Sequence, residues 1–237
     1  MSGSERLDKV LSNMGYGSRN EVRKYIREGI VSVNSVITFD PGYRLDPVAD
    51  IIKLDDEQII YRKYIYLMMS KPEGFVCSTS ERGKRTVMEL IPESFLHYDL
   101  FPVGRLDEDS TGLLLISNDG EWAHRLLSPR HHVEKEYIVT LDKAPDSKII
   151  EAFYNGVVLD KDFCCKPAGL ILTDHPHTAH VVLTEGKYHQ VKRMFAALGL
   201  HVCSLKRIRI GGLILDEALE YGSVRELTAE EITALMP

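Results

Sequence analysis

Two apolar periods divide the chain. In "SRNEVRKYIREG", residues 18–29, Val22, Tyr25 and Ile26 fall on one face at helical spacing. Ser18 suits the N-cap, Glu21 stands three residues on as in a capping box, and Gly29 suits the stop. Short β-type runs follow, "IVSVNS" and "VITF", with Asn34-Ser35 as their turn, and "DIIKLDD" supplies a third strand. Residues 56–64 are polar and charged and read as a linker. From Ile65 onward the apolar runs become short and frequent: "YIYLMMS", "GLLLIS", "EYIVTL", "AHVVLT" and "RIRIGGLIL". Helical segments intervene at "DGEWAHRLLS", "DSKIIEAFYNG" and "KYHQVKRMFAALG". The pattern predicts an α+β fold. A small α/β domain is expected over residues 1–60. A larger domain is expected over 61–237, with a mixed, mainly antiparallel sheet flanked by helices.

Composition narrows the class. A hydrophobic fraction of 44% and a charged fraction of 27% suit a soluble globular chain. No apolar run reaches the roughly 18–20 residues of a membrane span, and "MSGSERLDKV" lacks the apolar centre of a signal peptide. Cys77, Cys164, Cys165 and Cys203 form no CxxC pair, so reduced thiols and a cytoplasmic location are expected. His175, His177 and His180 in "DHPHTAH" fit no standard zinc spacing, and no metal site is expected.

The net charge of −6 hides a segregated pattern. Leu183–Ile210 carries six bases (Lys187, Lys192, Arg193, Lys206, Arg207, Arg209) against Glu185 alone, or +5. Residues 1–30 carry six bases against four acids, or +2. Such segregation can present a basic face for nucleic acid despite an acidic total. On the first predicted helix Arg19, Arg23, Lys24 and Arg27 lie largely off the apolar face, where they can neutralise phosphates.

"GRLDEDSTGLLLIS", residues 104–117, sets Asp107, Glu108 and Asp109 at the mouth of a buried-type strand bounded by Gly112 and Asn118. A loop held by a rigid strand is a favoured place for catalytic groups, although a lone acid there also serves as a turn or cap residue. Three further stretches accompany it in order: "SKPEGFVCST" at 70–79, "SPRHHVEKEYIVTL" at 128–141 and "EGKYHQVKRMFAALG" at 185–199. Together they resemble the pseudouridine synthases, in the branch that contains the bacterial small-subunit ribosomal enzyme. "RLDKVLSNMGYGSRNEVRKYIREGIVSVNSVI" resembles the RNA-binding domain first seen in ribosomal protein S4. The resemblance covers almost the whole chain.

The resemblance implies a role for each motif residue. Asp107 matches the catalytic aspartate, and Arg105 matches the arginine that contacts RNA near the extruded uridine. Tyr137 matches the tyrosine that stacks on the target base. Lys192 matches the basic residue that pairs with the aspartate, within about 4 Å. Glu108 and Asp109 receive no catalytic role, His189 and Gln190 a supporting one. Pro72 and Gly74 in "KPEG" are expected to set a tight turn under the pocket, with no direct catalysis by Lys71.

These residue types suit the chemistry. Isomerising uridine breaks N1–C1′, turns the uracil and joins C5 to C1′. No atom is lost and no redox change occurs, so no cofactor is expected. A carboxylate can serve as nucleophile at C1′ or as base at C2′, and the sequence leaves both open. A nearby cation favours the ionised carboxylate. An aromatic face holds the detached base through rotation by stacking. The target must first leave its helix.

The resemblance points to 16S ribosomal RNA as partner, within a partly assembled small subunit or free of it, with a monomeric enzyme and no membrane. The short acidic end "LTAEEITALMP" favours the small subunit over 23S RNA, whose enzymes often carry basic tails. A non-catalytic assembly factor using the same basic surface is the alternative from another class. A glycosidase-like hydrolase would need two carboxylates facing each other at about 5–10 Å, for which Asp107 and Asp109 on one short loop give no evident reason.

Overall fold

The computed structural model describes residues 3–128, 130–160 and 163–235. Pro129 of the 128–141 motif and the last two residues of the C-terminal segment lie outside them. The chain divides into two compact units. One holds the chain up to Ile65 together with Glu93–Asp99, and the other holds Tyr66–Pro92 and the chain from Leu100.

The first unit packs helices Leu7–Asn13 and Arg19–Arg27 against a four-stranded antiparallel sheet. Ser18 accepts from the Glu21 amide, and the Glu21 carboxylate accepts from the Ser18 amide, closing the capping box. Val31–Val33 pairs with Val36–Ile37 through Asn34 and Ser35, both at positive φ, the geometry of a tight hairpin turn. Leu7, Val10, Leu11, Val22, Ile26, Val31 and Ile52 are buried together. The expected linker over 56–64 is corrected in part. Glu57–Ile59 is a strand paired with Ile52–Leu54, and Ile59 joins the core. Its exposed Glu57 and Gln58 mask the single buried residue.

The second unit is built on a nine-stranded sheet. Its path runs Gly169–Leu172, Thr178–Leu183, Lys135–Leu141, Val202–Ile210, Thr111–Ser117, Tyr66–Lys71 and Val224–Glu226, while Leu213–Ile214 and Phe101–Val103 pair beside it. Every pairing is antiparallel except that of Val202–Ile210 with Thr111–Ser117. Helices Gly120–Leu127, Lys148–Asn155 and Gln190–Ala197 stand at the predicted places. Asp119 caps the first of these by accepting from the Trp122 amide at 3.0 Å, and the Tyr66 hydroxyl donates to the same carboxylate at 2.7 Å.

Leu113, Leu114, Leu115 and Ile116 are fully buried, so Thr111–Ser117 is covered on both faces and reads as a continuous apolar run. Gly112 lies inside this strand and does not bound it. It holds φ +99°, and a Cβ there would meet the Arg207 carbonyl at 2.2 Å. Only glycine allows the two parallel strands to approach so closely.

Candidate active site

One row across the sheet gathers most of the site. Val181 pairs with Tyr137, Tyr137 with Arg207, Arg207 with Gly112, and Gly112 with Lys71. The loop carrying Asp107 enters this row just ahead of Gly112. A cleft of about 730 Å³ opens over it, lined by Arg105, Asp107, Tyr137, Tyr188, His189 and Arg207 among others.

The Asp107 loop is tied down from below. Lys71 is fully buried, and its ammonium donates to the carbonyls of Ser110 at 2.7 Å, Asp107 at 3.0 Å, Pro72 at 3.0 Å and Glu108 at 3.3 Å. Burial pushes its pKa below the usual lysine value. The Gly74 amide donates to the Glu108 carbonyl at 2.8 Å, with Gly74 at φ +84° in the expected turn. The Leu106 amide donates to Cys77 Sγ at 3.3 Å. "KPEG" is thus a clamp on the backbone of the acidic loop. Sequence reasoning placed the turn but missed the lysine, because an ammonium that serves carbonyls leaves no motif of paired charges.

The Asp107 carboxylate keeps a loose electrostatic shell. Lys192 Nζ lies 3.5 Å from Oδ2 and His189 Nε2 lies 3.5 Å from Oδ1. The short bonds of Lys192 go elsewhere, to Asp109 Oδ1 at 2.5 Å and Oδ2 at 2.6 Å. Burial pushes the Asp109 carboxyl up, but the hydrogen bonds and charge of Lys192 draw it below the ordinary value. Asp109 therefore anchors the lysine that faces Asp107. Glu108 pairs with Lys84 at 2.7 Å. The three acids have three different environments, and spacing alone could not separate them.

Tyr137 is buried on its strand and lines the cleft. Arg105 is exposed on the same cleft and, among the described residues, has no hydrogen bond or ion pair. An arginine so placed is free for an incoming phosphate or base. Gln190 starts the helix that carries Lys192. Its side chain is buried, accepts from the Lys187 amide at 2.9 Å and donates to Glu185 at 2.7 Å.

The basic segment 183–210 does not form one face. Arg209 is held by Glu136 at 2.7 Å and Glu134 at 3.1 Å, Arg207 is buried, and Lys192 serves Asp109. Strand alternation sends successive side chains to opposite faces, so a linear charge count overstates the free surface. On the Arg19–Arg27 helix, Arg19, Lys24 and Arg27 are exposed, whereas Arg23 is committed to buried Asp8 at 3.0 Å. The three histidines of "DHPHTAH" take separate partners: Thr178 for His175, the Leu141 carbonyl for His177 and Glu136 for His180.

Comparison with known proteins places this architecture. The RNA pseudouridylate synthase family matches residues 65–197, and the S4 domain family matches residues 5–52. Ribosomal small subunit pseudouridine synthase A of Escherichia coli (strain K12) is 41% identical over 234 residues, covering 98% of this chain and 100% of that protein. An uncharacterized RNA pseudouridine synthase of Bacillus subtilis (strain 168), YtzG, is 41% identical over 97% of this chain and 98% of its own length. A crystal structure of a pseudouridylate synthase resembles the fold with a TM-score of 0.69 at 38% identity, covering 98% of this chain and 99% of that one. The chain belongs to the RNA pseudouridylate synthase family and carries an S4 domain before its catalytic region. It is an RNA pseudouridine synthase.

Proposed function

We propose that this synthase converts one uridine of 16S ribosomal RNA to pseudouridine, with Asp107 as the catalytic carboxylate. The observation that carries the reading is the cleft, where Asp107 stands 3.5 Å from Lys192 and from His189 and Tyr137 also lines the space. The near relative named for the ribosomal small subunit supports the choice of RNA.

Asp107 acts on the sugar, as nucleophile at C1′ or as base at C2′. Lys192 supplies a cationic field without saturating the oxygens that must react. Tyr137 offers its ring to the detached uracil, which turns from N1 to C5 attachment without leaving the cleft. Arg105 holds the strand beside the extruded nucleotide. Arg19, Lys24 and Arg27 contribute phosphate contacts from the 1–60 domain, and Arg23 contributes less because Asp8 shares its charge. The 61–237 domain performs the chemistry. The protein works as a cytoplasmic monomer on free RNA or a partly assembled subunit. Among the described residues no helix is long and apolar enough to cross a membrane.

The test is tritium release from RNA labelled at uridine C5, followed by mapping of pseudouridine in rRNA from a strain lacking this gene. Release with an intact strand and a missing 16S site supports the proposal. A missing 23S site moves the target to the large subunit. No release on either RNA leaves a binding factor, and a freed base or cut strand means hydrolysis.

A further inference from the structure

Tyr188 and His189 lie just ahead of the Gln190–Ala197 helix. Their rings stack with centroids 3.8 Å apart and planes 17° apart. His189 holds φ +49°, a left-handed conformation that a side-chain-bearing residue adopts at a cost and that tends to mark functional sites. Its Nε2 is the atom 3.5 Å from Asp107. Tyr188 is the outer ring and is 74% exposed, although it lines the cleft. The stack therefore begins at the reacting carboxylate and ends on a bare phenol at the rim. Core packing does not explain a tyrosine so exposed, and its second face is available to another planar ring.

We propose that Tyr188, backed by His189, is a stacking platform for the nucleobase next to the target uridine in the RNA strand. The inference rests on the reading of the cleft as the site of an extruded uridine. Flipping that nucleotide removes a stacking neighbour from the bases on either side. An aromatic face beside the pocket mouth replaces the lost contact, and every base has a π-face to offer, so the platform tolerates sequence. Lys187, adjacent in the chain, and unpaired Arg105 on the same cleft supply cations for the phosphates of that strand. Placement of the neighbouring base then fixes where the uridine enters relative to Asp107.

Two short single-stranded RNA oligonucleotides test this with the full chain, each holding one uridine with 2-aminopurine on its 5′ or its 3′ side. Stacking on Tyr188 should quench the fluorescence of one of them on binding. Tyr188→Ala should lose that quench and weaken binding roughly five- to fifty-fold, while Tyr188→Phe keeps both. In turnover on rRNA the loss should fall on KM more than on kcat. The proposal is overturned if the wild type quenches neither oligonucleotide or if Tyr188→Ala keeps quench and affinity. It is equally overturned if Tyr188→Phe behaves like Tyr188→Ala, which would make the hydroxyl the binding group. Tritium release by the wild type judges the isomerase reading separately. An inactive protein that still quenches through Tyr188 sinks that reading and keeps the platform, and an active one with an unaffected Tyr188→Ala does the reverse.

Discussion

Asp8 and Asp107 each stand beside two basic side chains, and the two regions use them in opposite ways. Asp8 is buried. Arg6 binds both of its oxygens at 3.0 and 2.9 Å, Arg23 adds a bond at 3.0 Å, and these arginines hold its carboxyl at about 2 against the pull of burial. Asp107 is partly open, Lys192 and His189 stop at 3.5 Å from it, and the close bonds of Lys192 are spent on Asp109. A carboxylate whose lone pairs are filled by guanidinium is a rivet. One left with an unfilled shell inside a cationic field can still take a proton or attack a carbon. Number of basic neighbours does not distinguish them; distance and hydrogen-bond count do.

The sharpest way to break the comparison is Asp107→Asn. Turnover measured by tritium release should fall at least about a thousandfold, while RNA binding stays within a few-fold, since phosphate contacts carry the affinity. Single-turnover activity surviving in the Asn variant would remove Asp107 from the chemistry. Next comes Lys71→Met, which keeps the volume but strands four carbonyls under the Asp107 loop. A loss of roughly 2–4 kcal/mol is expected in urea unfolding of the unit from Tyr66 onward, with kcat reduced as well. Native stability and kcat in that variant would show that the loop holds itself.

Asp8→Asn should cost the first unit about 1–2 kcal/mol, the half-exposed arginines tempering the charged bonds, and leave kcat at saturating RNA unchanged. The sign of the pH effect follows from the lowered carboxyl. Its contribution is fully present above the unfolded value near 3.8 and is lost as pH falls toward about 2. Acid unfolding of the first unit should therefore move to higher pH in Asp8→Asn, and an unmoved midpoint would deny the rivet. The smallest effect separates arginines on one helix. Arg19→Ala and Arg27→Ala should each flatten the slope of log affinity against log salt by just under about one unit. Arg23→Ala should flatten it less, because Asp8 already neutralises that guanidinium. Equal slopes for all three would mean that Asp8 releases Arg23 to the RNA.

Much of the fold could be read from the chain because burial imposes periodicity. The 111–117 run, the 135–141 strand and the capped 19–27 helix announce themselves through apolar spacing and cap residues. The Glu57–Ile59 strand does not, since an edge strand with one inward residue lacks a pattern. In the site, Asp107, Tyr137 and Lys192 were reachable through motif order, and they line or face one cleft. The partnership of Lys192 with Asp109, the Lys71 clamp, the burial of Arg207 and the pairing of Arg209 with Glu134 and Glu136 were hidden. Each depends on which strands are neighbours, and that is a property of topology.

The close approach of Gly112 to Arg207 has a consequence in time. These residues pair across a stretch of some hundred residues, on the sheet's parallel contact, and the helix bearing Lys192 is delivered late as well. Non-local pairings form slowly, and a chain being synthesised cannot make them before both partners have emerged. The S4 domain, made from local contacts near the N-terminus, can be complete long before then. A nascent chain can thus grip RNA while it is still unable to modify it, and reactivity arrives only when the last third of the polypeptide closes the row.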